Sequence, residues 1–376
     1  MSEHLDDLIA AGLYDPDQPD ADAILELLVY MLDELGASIP ELMRAQEHPQ
    51  GAGGLLSLGA FRSLSAGRDR YTLTEVAEQA GVDPAFVREL WVSAGFPEPR
   101  PFERRFGESD ADMFSLFALT ASLVPSDGVL QLVRTLGEAV SRIAEAEVAL
   151  MRSSIEAPLM TSSQYVDVAR GYVQVANELF PRMANAIDAL HRHYLSAIGR
   201  RYSDVGAPTS ALNVVQLAVG FADLAGYTGL WHERSVDDLA RILDGFESIT
   251  GTVIATAGAN VVKRIGDAVM FVTNAPGIAC ALALELLESC AAAGLPKLRV
   301  GVAFGDVMVR QGDFYGAPVN LAARLVSTAE AGTALTDSVL QQRLARVRGG
   351  YAFLAAGKFN LAGFTEPVEA FQLLRP

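Results

Sequence analysis

The chain has 376 residues, half of them apolar, and a formal net charge of -17. That length exceeds what one compact core usually holds and predicts two domains, while the apolar share excludes global disorder. The charge is uneven: residues 1–211 carry most of the acidic excess and contain no lysine, whereas the part from Leu212 onward is close to neutral. An acidic, lysine-free half is a poor partner for a phosphate backbone, so no nucleic-acid partner is expected.

Cys280 and Cys290 are the only cysteines and lie in an apolar stretch of helical pattern. They read as buried thiols rather than as a disulfide or a zinc site. The N-terminal Met1-Ser2-Glu3-His4-Leu5-Asp6-Asp7 is acidic and no basic-then-apolar leader follows. The most apolar long segment, Ile278 to Leu295, is interrupted by Glu285 and Glu288, which suits a packed helix rather than a membrane span. A cytoplasmic protein with no membrane span is expected.

In chain order, Ala23 to Leu35 is a strongly apolar helical pattern stopped by Gly36, and the glycines at 51, 53 and 54 mark a flexible connection. Residues 71–97 have helix-turn-helix spacing. Thr74 is the expected cap of the first helix, Gly81 makes the turn and Asp83-Pro84 starts the second. This stretch resembles the motif of MerR-type winged-helix regulators. Its would-be recognition helix offers only Arg88, directly followed by Glu89, so a helical packing unit is the preferred reading. Leu130 to Met151 and Tyr165 to Leu195 repeat apolar residues at helical spacing, punctuated by Pro125, Pro158 and Pro181. Residues 1–190 are therefore expected to form an all-helical domain.

His191 and His193 fall where the helical pattern leads out of that domain, in a linker expected over residues 191–211. Histidine changes charge near neutral pH, so the pair is a candidate pH-sensitive element. The plainer reading is a set of basic residues favourably placed at a helix C-terminus.

From residue 212 to 376 the pattern alternates strands and helices. Strand 214–221 precedes a helix 235–249 capped by Ser235, then a strand 252–257 and a hairpin 260–273. A helix 276–293 follows, then a second hairpin, Leu298–Phe304 with Val307–Gln311, turning at Gly305-Asp306. A helix 317–330 and a closing strand 368–374 complete it. Two strand-helix-strand units on an antiparallel sheet imply a ferredoxin-like α+β domain.

Three clusters in this half carry chemistry. Asp223 ends the first strand, beside Gly226, and Asp267 sits at the tip of the hairpin after Lys263-Arg264-Ile265-Gly266. Two carboxylates at neighbouring strand ends suit a shared divalent cation. Asp313 lies in a loop, and Asn320 and Arg324 are four apart on one helical face, a pairing suited to an anionic transition state. Taken alone, Asn320 and Arg324 also read as an ordinary surface pair.

Together, Phe221-Ala222-Asp223-Leu224-Ala225-Gly226-Tyr227-Thr228, Lys263-Arg264-Ile265-Gly266-Asp267, and the run from Asp313 through Asn320 to Arg324 resemble the catalytic domain of class III nucleotidyl cyclases over residues 212–374. The resemblance implies that Asp223 and Asp267 hold two Mg²⁺ or Mn²⁺ ions per site, and that Lys263 and Asp313 read the purine. It likewise implies that Asn320 and Arg324 serve the transition state. It implies ATP as substrate, cyclic AMP and pyrophosphate as products, and a homodimer whose two sites are built from both subunits. The acidic helical half resembles, in layout, the N-terminal domains of actinobacterial pH-responsive cyclases. That implies autoinhibition and, as a further ligand, a lipid or fatty acid among its helices. The rival readings are a catalytically silent cyclase-like sensor or scaffold, and a DNA-binding regulator.

Overall fold

The computed structural model describes residues 4–46, 55, 58, 70–156, 164–205, 214–230, 234–345 and 350–375. The chain divides into two compact units, Met1–Tyr194 and Leu195–Pro376. The glycine cluster at 51, 53 and 54 lies outside the described residues, as do Pro158 and the end of the expected linker.

The first unit is helical among its described residues: α1 (Leu5–Ala10), α2 (Ala21–Asp33), α3 (Ile39–Gln46), α4 (Leu73–Ala80), α5 (Pro84–Ser93), α6 (Glu108–Leu123), α7 (Ser126–Met151) and α8 (Tyr165–Gln174). It has two separate apolar cores. Leu8, Leu27, Leu28 and Met31 of the first helices pack with Val168, Ala169 and Tyr172 of α8. Val76, Val87 and Leu90 of α4 and α5 pack with Phe106, Phe114, Val129 and Val133. Rows of apolar residues at helical spacing produce both, because each helix has one face to remove from water.

The helix-turn-helix spacing at 71–97 is realised, with one correction. The cap is Thr72 rather than Thr74: its hydroxyl accepts from the Glu75 N–H at 3.3 Å while the Glu75 carboxylate accepts from the Thr72 N–H at 2.7 Å. This reciprocal box satisfies two otherwise unpaired donors, and Glu75, three residues beyond Thr72, is what selects it. Gly81 turns with φ 67°, and the Asp83 side chain caps α5. Arg88, the one basic residue on α5, is ion-paired with Glu98 at 3.0 Å.

After a π-helical turn at Val175–Leu179, α9 (Phe180–Val205) runs 26 residues. His191 and His193 sit in its middle, not near its end, and are exposed. The capping reading fails for them because no glycine or proline interrupts the pattern until Gly199, which the helix absorbs.

The second unit is an eight-stranded sheet: β1 (Val214–Leu224), β2 (Asn260–Ile265), β3 (Ala268–Thr273), β4 (Leu298–Arg310), β5 (Asp313–Tyr315), β6 (Ala334–Asp337), β7 (Ala352–Phe359) and β8 (Val368–Leu374). The order is β2-β3-β1-β4-β6-β8-β7, with β5 paired to β4. Its helices are α10 (Tyr227–Leu230), α11 (Val236–Thr256), α12 (Pro276–Ala292), α13 (Ala317–Thr328) and α14 (Ser338–Leu344). The succession β1-α11-β2-β3-α12-β4 in the order β2-β3-β1-β4 is the ferredoxin-like α+β arrangement. Helices α11 and α12 bury Phe246, Ile254, Leu282 and Leu286 against one face, with Ala218, Ala222, Phe271 and Val302. Helix α13 covers the other face, where Ala322 and Val326 meet Val219, Phe221 and Ala303.

Two expected elements are different. Residues 252–257 are not a strand: α11 runs unbroken to Thr256, because its apolar face continues through Phe246, Thr250 and Ile254 and the Thr250 hydroxyl bonds back to the Phe246 carbonyl at 2.7 Å. The β-branched run at its end is strand-prone, but burial of that face overrides local preference. Likewise, no hairpin forms at Gly305-Asp306. Strand β4 passes straight through to Arg310, and the turn comes at Gln311-Gly312, both at positive φ (54° and 73°). Two consecutive left-handed residues match the right-handed twist of adjacent strands, which Gly305-Asp306 does not supply. Sequence patterning also left α10, β6, α14 and β7 unassigned, and Asp313, expected in a loop, begins β5 because the tight turn at Gln311-Gly312 pairs it at once with Arg310. Among the described residues, no helix is long and apolar enough to cross a membrane.

Candidate active site

The sheet brings three of the sequence clusters into definite geometry. Asp223 is the penultimate residue of β1, and antiparallel pairing sets it opposite Ala268 on β3. The β2–β3 turn therefore carries Asp267 to the same sheet end, where its carbonyl accepts from the Leu224 N–H at 3.2 Å. The two carboxylates are close enough to feel each other's charge. Burial pushes the Asp223 carboxyl above its ordinary range, the adjacent Arg299 opposes that rise, and the charge of Asp267 adds to it.

On its other side, Asp223 is opposite Arg299 of β4. The Arg299 guanidinium donates to both carboxylate oxygens, Nε at 3.0 Å and Nη2 at 2.8 Å. The Asp223 and Arg299 side chains are 18% and 29% exposed respectively, so this pair is shielded well beyond an ordinary surface ion pair. Sequence reasoning missed Arg299, which looks like any strand residue. The available signal was the antiparallel register that sets opposite charges side by side on one face.

Lys263 on β2 and Asp313 on β5, fifty residues apart, form an ion pair through Lys263 Nζ and Asp313 Oδ2. Asp313 is held in turn by the N–H of Phe314, which donates to its Oδ1 at 2.9 Å. A register shift between Val261 and Lys263 interrupts the regular β2–β3 ladder just ahead of the lysine.

Asn320 and Arg324 lie on α13. Pro318, Ala322, Leu325 and Val326 are buried against the sheet, while Asn320, Arg324 and Ser327 form the exposed stripe on the opposite side. Neither the Asn320 nor the Arg324 side chain makes a hydrogen bond to another described residue. The helix approaches the sheet this closely because β4 is glycine beneath it: a Cβ at Gly301 would lie 2.3 Å from the Val326 nitrogen and 2.4 Å from the Ala322 oxygen. The chain thus brings Asp223 to Asp267 and Lys263 to Asp313, and presents Asn320 and Arg324 outward from the sheet.

Residues 209–375 match the family of the adenylate and guanylate cyclase catalytic domain. An adenylate cyclase of Streptomyces coelicolor is 31% identical over 306 residues, covering 80% of this chain and 77% of that protein. This chain belongs to the class III adenylate and guanylate cyclase family. Two mycobacterial relatives span still more of the cyclase. An uncharacterized protein of Mycobacterium tuberculosis is 34% identical over 370 residues, which are 98% of this chain and 93% of that one. A pH-sensitive adenylate cyclase of the same species is 28% identical over 357 residues, 91% of this chain and 84% of its own length.

The donor set of the cyclase at the β1 end fits a hard divalent cation. Two carboxylates from adjacent strands offer oxygen ligands and unbalanced negative charge, which is what such an ion requires. No group of three or more acidic, histidine or cysteine ligands exists among the described residues. A cation here would complete its coordination from substrate oxygens and water, the usual habit of Mg²⁺.

Proposed function

We propose that the chain is an adenylate cyclase, converting ATP to 3′,5′-cyclic AMP and pyrophosphate. The observation that carries this reading over guanylate chemistry is the Lys263–Asp313 pair. An ammonium that donates and a carboxylate that accepts, side by side, match adenine, whose N1 accepts and whose N6 amino group donates. Guanine presents the reverse pattern at those positions, so the same pair rejects it.

In the reaction, the ribose 3′-oxygen loses its proton and attacks the α-phosphorus. The bond to the bridging oxygen breaks in line, and pyrophosphate leaves. Asp223 and Asp267 would hold the two Mg²⁺ or Mn²⁺ ions, which supply acidification of the 3′-hydroxyl and neutralisation of phosphate charge. Asn320 orients the ribose, and Arg324 donates to the oxygens of the α-phosphoryl group as their charge rises.

The outward placement of Asn320 and Arg324 supports assignment of each site to two subunits. A homodimer with two-fold symmetry would let the α13 face of one copy meet the acidic pair of the other, twice. We further assign residues 1–190 to a regulatory, autoinhibitory domain, 191–211 to the linker and 212–376 to the catalytic domain. The pH-sensitive relative favours histidine-range control of that inhibition, with His191 and His193 as the candidates.

The test is product formation from ATP and from GTP with Mn²⁺, using the wild type and the separate variants Asp223→Asn and Arg324→Ala. Cyclic AMP is the expected product. Each variant alone should lose about 10²–10³-fold in kcat, and mixing the two should restore activity through one intact site per heterodimer. Absence of restoration would defeat the shared site, and absence of turnover in the wild type would leave a cyclase fold kept for binding.

A further inference from the structure

We propose that Arg299 is a built-in competitor of the divalent cation: its guanidinium holds the Asp223 carboxylate in the cation-free enzyme and must give it up when metal binds. The inference rests on the assignment of Asp223 and Asp267 as the metal ligands and adds a residue that the three cyclase motifs do not include.

Three observations carry it. First, the contact is bidentate, with Nε at 3.0 Å and Nη2 at 2.8 Å. A guanidinium in this fork geometry occupies one lone pair on each carboxylate oxygen, the geometry that arginine recognises best. Second, the pairing is fixed by the fold rather than by side-chain reach. Asp223 and Arg299 are register partners in a β1–β4 ladder that extends from Val214 opposite Met308 to Leu224 opposite Leu298. Third, Arg299 chooses one of the two carboxylates. Asp267 has no ion-pair partner among the described residues, so the pair is asymmetric: one ligand is committed and its neighbour is available.

The charges define the consequence. In the cation-free site, one guanidinium offsets half of the negative charge of the two carboxylates. A dication arriving at Asp267 meets a positive group already seated on the second ligand. Use by the dication of the Asp223 lone pairs that the fork occupies therefore requires the fork to open or turn aside. Weak affinity for the bare metal, and strong affinity only for metal with nucleotide, is the expected behaviour of such a site.

The experiment measures Mn²⁺ binding to the full chain without nucleotide, by electron paramagnetic resonance of the free ion, with circular dichroism to verify folding. The variants are Arg299→Gln, Arg299→Lys and Asp223→Asn. Removing the competing charge in Arg299→Gln should tighten Mn²⁺ binding by about tenfold, the worth of one charge-assisted hydrogen bond. Arg299→Lys, which keeps the charge but loses the fork, should tighten it by about threefold. Unchanged or weaker binding in folded Arg299→Gln overturns the proposal. If that variant does not fold, Arg299→Lys decides by the same criterion. Asp223→Asn separates the two levels: wild-type Mn²⁺ binding in that variant refutes the metal-ligand assignment itself. Weakened binding there, with no gain in the Arg299 variants, refutes only the competition.

Discussion

Among the described residues of the second unit, Asp337 is the buried carboxylate, 4% exposed, where β6 passes into α14. Its Oδ1 accepts from the Leu340 N–H at 2.8 Å and its Oδ2 from the Phe304 N–H at 3.3 Å. It thereby caps α14 and ties it to β4. Burial pushes its carboxyl up to about 6, against the lowering effect of those N–H donors. The folded state thus binds this proton more tightly than the unfolded chain, whose carboxyl titrates near 3.8. The stability linked to the proton is fully present below pH 3.8 and is lost as pH rises through about 6. Denaturant midpoints at pH 4.5 and 7 should therefore differ less in Asp337→Asn than in the wild type. An identical pH slope in the two proteins would show that Asp337 does not titrate in this range. The buried thiol of Cys280, itself pushed up to about 12 by desolvation and then by the charge of Asp337, is silent across this window.

At the scale of elements, the seating of α13 depends on an absence. Gly301 of β4 has the Val326 nitrogen, the Ala322 oxygen and the Leu325 carbonyl carbon where a Cβ would stand, all backbone atoms that no rotamer change can move. Gly305 faces only the Pro318 ring, at 3.0 Å. Gly301→Ala should therefore push the helix off the sheet, with a loss of about 1–3 kcal/mol in chemical denaturation, and Gly305→Ala should cost less. Because Asn320 and Arg324 ride on that helix, Gly301→Ala should lower kcat out of proportion to KM, since the proposed purine-reading pair, Lys263 and Asp313, lies on other elements. Equal stability of the two alanine variants would mean that the sheet, not the helix, absorbs the added methyl group. The same helix shows how much of the site a sequence contains. Its apolar period predicts which side faces the sheet and hence that Asn320 and Arg324 face away. The closeness of approach, set by glycines on another element, is not written in the helix at all.

At the scale of the whole chain, the two units have separate cores and different charge character, the first strongly acidic and the second near neutral. Only α9 carries the backbone across the division at Tyr194–Leu195. If the first unit inhibits, the 202–376 fragment should be more active than the full chain near pH 8. The difference should shrink toward about pH 5.5, where histidines are charged, and the full chain carrying both His191→Ala and His193→Ala should lose that pH dependence. Equal activity of fragment and full chain at every pH would remove the inhibitory role and leave the enzyme assignment intact.

The sequence alone singled out the candidate site residues, because they sit in short local motifs: Asp223 at a strand end, Lys263 to Asp267 through a tight turn, and Asp313 ahead of a Pro-started helix. It also determined the α+β class, since hydrophobic period is a local property. Tertiary structure alone decided three things. Residues 252–256 are helix because burial of an apolar face outweighs β-branched preference. Lys263 meets Asp313 across fifty residues because β5 folds back on β4. Asp223 is held by Arg299 because the antiparallel register of two long strands places them opposite each other. Each depends on partners distant in the chain, and a local pattern holds no record of the partner it will meet.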